Sequence, residues 1–445
     1  MACKNCLDDE AKCYNKFVKK FEQFLFYFFL FAIPFQTRKI LWHQEWYFNE
    51  WQSFSVFGTD ILLVALFLFW FLRGVKLKIA RYDYFLFSFV LISTISLKNS
   101  TSLLLSFFSL LKIIEFVIFY FYIKSYAFGR FGFINSLWAI IFGGLFQAIV
   151  AILQFIRQSD LGFRILGESV LGLHLTGIAS FYNSAGEKII RAYGTTPHPN
   201  ILSAYLLLAV FAFLFLWLYE KDKKQKWLLG FYGVLLFSLF STFARVTVFV
   251  LVLNFFIRFL LIAFKFRKKF FNKKLAQVFA VAILTAVLFS GLFWPEVNSR
   301  MKLSPSEEAV QLRVFYAKES LSSGLNFFGV GTGNFINWLM NKEPGLARNL
   351  YQPVHNIYLL IYSETGLLGI TAFGIFLLFL VKDFVVRTGL DKLYNYSFLL
   401  VFLSFLFIGF FDHFLWTLQQ GRIVFWLTVS LLTFNLKGDT IREQQ

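Results

Sequence analysis

The sequence predicts an all-α, polytopic membrane fold with about twelve transmembrane helices, on three observations. The 445 residues are 58% hydrophobic and 21% aromatic, with only 15% charged and a mean hydropathy of +0.64. A soluble domain has about a quarter of its residues charged, so that class is excluded. Apolar runs of about 20 residues, long enough to cross a bilayer, recur along the chain. Lysine and arginine gather in alternate connections between those runs, the mark of loops on one membrane face. The same pattern explains the net charge of +18, because the basic residues are scattered over short connections and form no single nucleic-acid patch.

In chain order, helices are expected at 21–36, 58–74, 82–97, 102–123, 132–156, 200–219, 227–243, 245–264, 275–294, 355–381, 394–411 and 414–436, with tight turns at 243–245 and 411–414. Before the first lie Lys4, Lys12, Lys16, Lys19 and Lys20, and between the second and third lie Arg73, Lys76, Lys78 and Arg81. Lys221, Lys223, Lys224 and Lys226 follow the sixth; Lys265, Arg267, Lys268, Lys269, Lys273 and Lys274 follow the eighth. Lys382, Arg387 and Lys392 follow the tenth. All fall on one side when both termini are cytoplasmic, which argues for an even helix count in a multi-pass inner-membrane protein.

The start of the chain is polar and lysine-rich, with no small-residue cleavage site, so no cleavable signal peptide is expected. Cys3, Cys6 and Cys13 lie in this tail, and the chain has no other cysteine. A Cys-x-x-Cys pair without further ligands nearby is read as reduced cytoplasmic thiols, so no metal or cofactor is expected there and no disulfide in the outer loops. The 65 Phe residues are read as lipid-facing filler.

Three connections fall on the opposite side. Residues 37–57 carry Trp42, Trp46, Tyr47 and Trp51, which suits an aromatic belt. Residues 158–199 form a longer loop. Residues 296–354 form the longest, with a helix of its own: Ser304-Pro305-Ser306-Glu307 reads as a capping box and Gly324 as the stop. Val310, Val314, Ala317 and Leu321 recur at helical spacing, so this helix is expected to lie on the bundle like a lid. There is no internal repeat.

Two polar motifs interrupt the apolar chain, and the charge pattern puts both at that opposite face. The first is Arg191-Ala-Tyr-Gly-Thr-Thr-Pro-His198-Pro-Asn200; the second is His355-Asn356, opening a helix that continues to Glu364-Thr-Gly366-Leu-Leu-Gly369. Arg, His and Asn gathered at one end of a lipid-embedded bundle suit a polar head group better than a soluble metabolite. Arg245 sits in a tight outer turn, pointing inward or anchoring the interface. His355 titrates near neutrality, so it is the natural proton acceptor, with Asn356 as an orienting group. Asp412 and His413 share the other tight turn at the same level. Arg313 lies on the loop helix. Gln147 and Gln154 share a helix face and can bond a sugar or another helix. Lys112 and Glu115, three apart, can neutralise each other. Gly366 and Gly369 suit close helix packing. Gly329-Val-Gly331-Thr-Gly333 departs from the dinucleotide fingerprint and remains at most an anion nest.

Arg191-Ala-Tyr-Gly…His198-Pro199-Asn200, Ser241…Arg245, Arg313 followed by Gly329-x-Gly331, and His355-Asn356…Glu364-x-Gly366-Leu-Leu-Gly369 together resemble the O-antigen ligase and polymerase superfamily, with weaker likeness at Asp412 and Trp416 to Trp426. The likeness spans 145–430. It divides the chain into a tail (1–20), N-terminal helices (21–144), a ligase-like domain (145–436) holding the 296–354 loop, and a second tail (437–445). The resemblance implies a GT-C-like fold, a polyprenyl-diphosphate-linked glycan donor and metal-independent inverting transfer at the extracytoplasmic face. It casts His355 as catalytic, Arg245 and Arg313 as diphosphate ligands and Asp412 as the supporting acid. Arg191, His198, Asn200, Asn356 and Gln154 are then substrate-binding or loop-fixing candidates.

The chemistry agrees with those residue types. Cleaving a sugar–diphosphate bond leaves a charged oxyanion, which guanidinium groups can hold bidentately in place of a cation. The acceptor remains open: a lipid or wall glycan, as in lipopolysaccharide assembly, another lipid-linked repeat unit, or a protein hydroxyl. The competing classes are a lipid-linked glycan flippase, which calls for inverted repeats, and an inactive scaffold.

Overall fold

The computed structural model describes residues 18–44, 48–74, 76–219, 226–266, 269–302, 308–324 and 326–435. The cysteine tail, Trp46, Tyr47, the Ser304–Glu307 capping box and several lysines of the charge argument lie outside the described residues.

Among the described residues, every expected apolar segment is helical. In chain order these are α1 (18–32), α2 (Gly58–Leu72), α3 (Asp83–Ser96), α4 (Leu103–Tyr122), α5 (Phe133–Arg157), α6 (Pro199–Tyr219), α7 (Leu228–Ser241), α8 (Arg245–Leu260) and α9 (Lys269–Leu292). After the loop helices α10 (Glu308–Ser323) and α11 (Phe335–Lys342) come α12 (Ile357–Thr388), α13 (Leu393–Gly409) and α14 (Gln419–Leu431). Six helices are long and apolar enough to cross a bilayer by length and composition: α4 extended to Phe131, α5, α6, α8 extended to Lys265, α9 from Lys273, and α12. Helices α2, α7 and α13 are apolar but shorter.

Helix α6 organises the bundle. Its sequence is apolar on every side, the pattern of a fully enclosed helix, and every residue of it but Asn200 is buried. It packs against α5, α7, α8, α9, α13 and α14. Pro199 starts it, where a missing N–H costs nothing. The first polar motif is therefore fixed to the central helix.

Four sequence expectations need correction. The chain is not purely helical: β1 (Arg38–His43) pairs antiparallel with β2 (Ser53–Phe57), and β3 (Ser180–Tyr182) with β4 (Lys188–Ile190). The second hairpin turns on Asn183, whose Oδ1 accepts from Ala185 N and Glu187 N at 3.0 and 2.9 Å. The phenylalanines are not uniformly lipid-facing. Phe26, Phe29, Phe89, Phe116, Phe119, Phe373 and Phe402 are fully enclosed or nearly so, and ring-to-ring contacts run through the interior.

The expected final helix, 414–436, is interrupted. A single turn, Phe414–Thr417, ends at Leu418 in extended backbone (φ −108°, ψ 142°) before α14 begins. Arg422 Nε donates to Trp416 O at 2.6 Å, satisfying a carbonyl freed by the break. Helix α10 does end at Gly324, but Val314 and Leu321 of its apolar stripe are outward, 51% and 52% exposed. It meets α12 through serines instead. Ser320 Oγ donates to Leu359 O at 2.7 Å and the Ser323 hydroxyl pairs with that of Ser363, because small side chains let helices approach.

Candidate functional site

The first motif is held from below by two glutamines one face apart on α5. Gln154 accepts from Tyr193 N (3.2 Å) and Gly194 N (2.8 Å) and donates to Gly194 O (2.9 Å) and Glu168 Oε1 (2.6 Å). Gln147 donates to Thr195 Oγ1 at 2.7 Å and accepts from Thr195 N at 2.9 Å. From above, the α7–α8 turn grips it: Ala192 N donates to Ser241 O at 3.2 Å, and Arg191 Nε donates to Thr242 O at 2.6 Å. That turn is tight enough to force Phe243 into left-handed backbone (φ 49°) and it presents Arg245 as the first residue of α8.

From this anchor a polar chain crosses the site. Arg191 Nη2 donates to Asn200 Oδ1 at 2.6 Å, and Asn200 Nδ2 donates to Asp412 Oδ2 at 2.7 Å. Asp412 Oδ1 caps the next turn, accepting from His413 N at 2.8 Å. The His413 ring meets the His355 ring edge-on, centroids 5.0 Å apart, and Trp51 meets His413 from another side at 5.0 Å. Tyr316 of α10 stacks over His355 at 6.1 Å. No hydrogen bond reaches the buried His355 Nδ1 among the described residues.

Charge converges here as well. Arg191 feels the nearby Arg300 and Arg245 charges; burial and these neighbours lower it to about 9. Arg313 stands exposed on α10, within electrostatic reach of both His355 and His413. Burial, with Arg191 beside it, pushes His198 down to about 3. Burial and the His355 charge take His413 to about 3. His355 is lowered by burial and by Arg313, against the opposing pull of Asp412. Burial would raise Asp412, but His413, His355, His198 and the Asn200 bond outweigh it and hold it at about 2. At neutral pH the site therefore holds neutral imidazoles, one carboxylate and several guanidinium groups.

The glycine loop is taken up by the protein's own groups. Helix α12 breaks at Gly366 (φ 70°, ψ −169°), and the loop fills the break: Val330 N donates to Ser363 O at 2.9 Å and Gly331 N to Glu364 O at 3.1 Å. A side chain at Gly366 would collide with the Phe327 and Asn326 carbonyls, and one at Gly329 with the Glu364 backbone at 2.6 Å. The Gly333 and Phe335 N–H groups at the start of α11 face the Glu364 carboxylate. These glycines allow backbone to lie against backbone.

The structure brings His355, Asp412, Arg191, His198, Asn200, Arg245 and Arg313 to one region. It occupies the Gln154 amide with loop bonds and sets Asn356 as the cap of α12, where it stays partly exposed. Gln154 is only 2% exposed with its amide taken up by the loop, and Asn356 caps α12, accepting from Tyr358 N (2.9 Å) and Leu359 N (3.0 Å). Asp412 reaches His355 through charge, its oxygens being bonded to Asn200 and His413 N. Sequence reasoning missed Arg300, Tyr316 and the inward turn of Trp51. Only the histidine beside Asp412 signalled a second imidazole.

Residues 231–374 match the family model described as O-Antigen ligase. Over that segment the chain is similar to the O-antigen ligase superfamily. No curated protein matches the chain. The matched ligase segment contains Arg245, Arg313, the glycine loop, His355 and the α12 break, whereas Arg191, His198, Asn200 and Asp412 lie outside it.

Proposed function

We propose that the chain is a multi-pass, GT-C-like glycosyltransferase of the inner membrane. Both termini are cytoplasmic, and it acts at the extracytoplasmic face on a polyprenyl-diphosphate-linked glycan. Arg245 and Arg313, with Arg191 and Arg300 close by, grip the diphosphate. An imidazole nitrogen of His355 takes the proton from the acceptor hydroxyl as that oxygen attacks the anomeric carbon. One carbon–oxygen bond forms while the sugar–phosphate bond breaks, and the departing electron pair settles on the diphosphate beside the arginines. Attack from the face opposite the leaving group inverts the sugar. The Arg191–Asn200–Asp412 chain keeps the arginines in register with the histidines.

The observation carrying this reading is the convergence of His355 with His413, Asp412 and the arginine charges from four distant stretches of sequence. Purified protein given labelled lipid-linked donor and source membranes as acceptor should transfer glycan with chelator present. Loss of transfer on chelation alone would remove the arginines from their proposed role.

A further inference from the structure

Next to Trp51, which touches His413, lies a chamber that neither the three histidines nor Arg191, Arg245, Arg300 and Arg313 line. A cavity of about 110 Å³ is lined by the first hairpin, α4, the glycine loop and the break before α14. That is room for several waters, on the order of one sugar ring. Trp51 forms one wall and also meets His413, while Pro353, two residues before His355, forms another. The hairpin and α4 lie outside the family match, so much of the wall belongs to this chain's own N-terminal part.

The wall chemistry disfavours an anion. Its charges are answered within the protein. Arg38 grips Glu50 with both arms, one at 2.7 Å. Lys112 bonds Asp60 at 2.7 Å and Glu115 at 2.8 Å. Glu364 faces two backbone N–H groups and feels the Arg422 charge. None of Arg191, Arg245, Arg300 and Arg313 lines the cavity; of its own cations, Arg38 and Lys112 are ion-paired and Arg422 donates to Trp416 O. What remains are hydroxyls (Ser53, Ser55, Ser109) among aromatic faces (Trp51, Phe108, Trp416). Hydroxyls beside aromatic rings suit a neutral sugar, which offers both hydroxyl edges and an apolar C–H face.

We propose that this chamber receives an uncharged sugar residue of the acceptor and presents its hydroxyl to His355. The inference rests on the glycosyl-transfer reading above. It places acceptor choice in the hairpin and α4, apart from the arginines that hold the donor.

The test uses the full wild-type chain in detergent. Hydroxyl-radical footprinting is run with tens of millimolar methyl glycosides (a hexose, a deoxyhexose and an N-acetylhexosamine), and separately with pyrophosphate or a Ser/Thr-containing peptide. At least one glycoside should protect Trp51 and Trp416 severalfold, and pyrophosphate and peptide should not. Protection by pyrophosphate or peptide alone, or by no probe, overturns the proposal. In membrane vesicles holding the natural acceptor, Ser55→Trp and Ser109→Leu, which fill the chamber from two elements, should cut transfer at least tenfold. Donor binding should stay within twofold of wild type. Wild-type transfer in both filled variants sinks the chamber alone, whereas a wild type that binds no donor and transfers nothing sinks the glycosyl-transfer reading itself.

Discussion

Replacing Asn200 by alanine should uncouple the arginines from the Asp412 turn. The amide accepts from Arg191 at 2.6 Å and donates to Asp412 at 2.7 Å. Hydrogen bonds with one charged partner contribute about 1.5–3 kcal/mol each. Asn200 is half-buried, so the lower end applies, and losing both bonds costs about 3 kcal/mol. If that loss falls on the transition state, transfer slows by roughly a hundredfold, since about 1.4 kcal/mol is tenfold in rate. Arg191 keeps its bond to Thr242 O, so the loop should stay folded. The assay is initial-rate transfer in proteoliposomes, with thermal unfolding as the control for folding. Asn200→Asp keeps an acceptor for Arg191 but sets a second carboxylate against Asp412, so it should be slow at neutral pH and recover partly in acid as the pair takes up a proton. Wild-type rates in Asn200→Ala would refute the coupling.

Further outcomes follow from the same geometry. Burial lowers His355 below the usual imidazole value; its neutral form therefore persists as pH falls through 6.5, and the acid limb of transfer should lie lower than that. Arg313→Gln removes a charge that pushes His355 down, so a pH–rate profile should show the limb moving upward. Gly366→Ala forces a side chain into positive φ against two carbonyls, which should cost about 1–3 kcal/mol or more and lower the unfolding temperature. Gly230→Ala, with open space around its β-carbon, should not. Gln154→Leu strands Tyr193 N and Gly194 N without their acceptor, so it should lose folded protein before it shows any selective loss of donor binding.

Much of the bundle was legible because hydrophobic length and lysine placement are local signals. Helix α6 was legible as one such apolar run, and the turn at Arg245 by its brevity. The hairpins were hidden because five alternating residues such as Ser53–Phe57 are outweighed by the surrounding apolar runs. The interruption at Leu418 carries no Pro or Gly at the extended residue, so nothing local announced it. The His355–His413 contact and the bridge from Asn200 to Asp412 join residues far apart in sequence, and only tertiary packing reveals them. Trp51 looked like an interfacial anchor because aromatic belts and buried aromatic walls share a composition.

The most direct test separates binding from chemistry at the histidine. Single-turnover transfer and equilibrium donor binding should be measured side by side for wild type, His355→Ala, Arg245→Gln and Arg313→Gln. His355→Ala should lose on the order of 10²–10⁴ in rate while keeping donor affinity, and each arginine variant should lose affinity. A His355→Ala protein that transfers glycan at the wild-type rate would contradict the account.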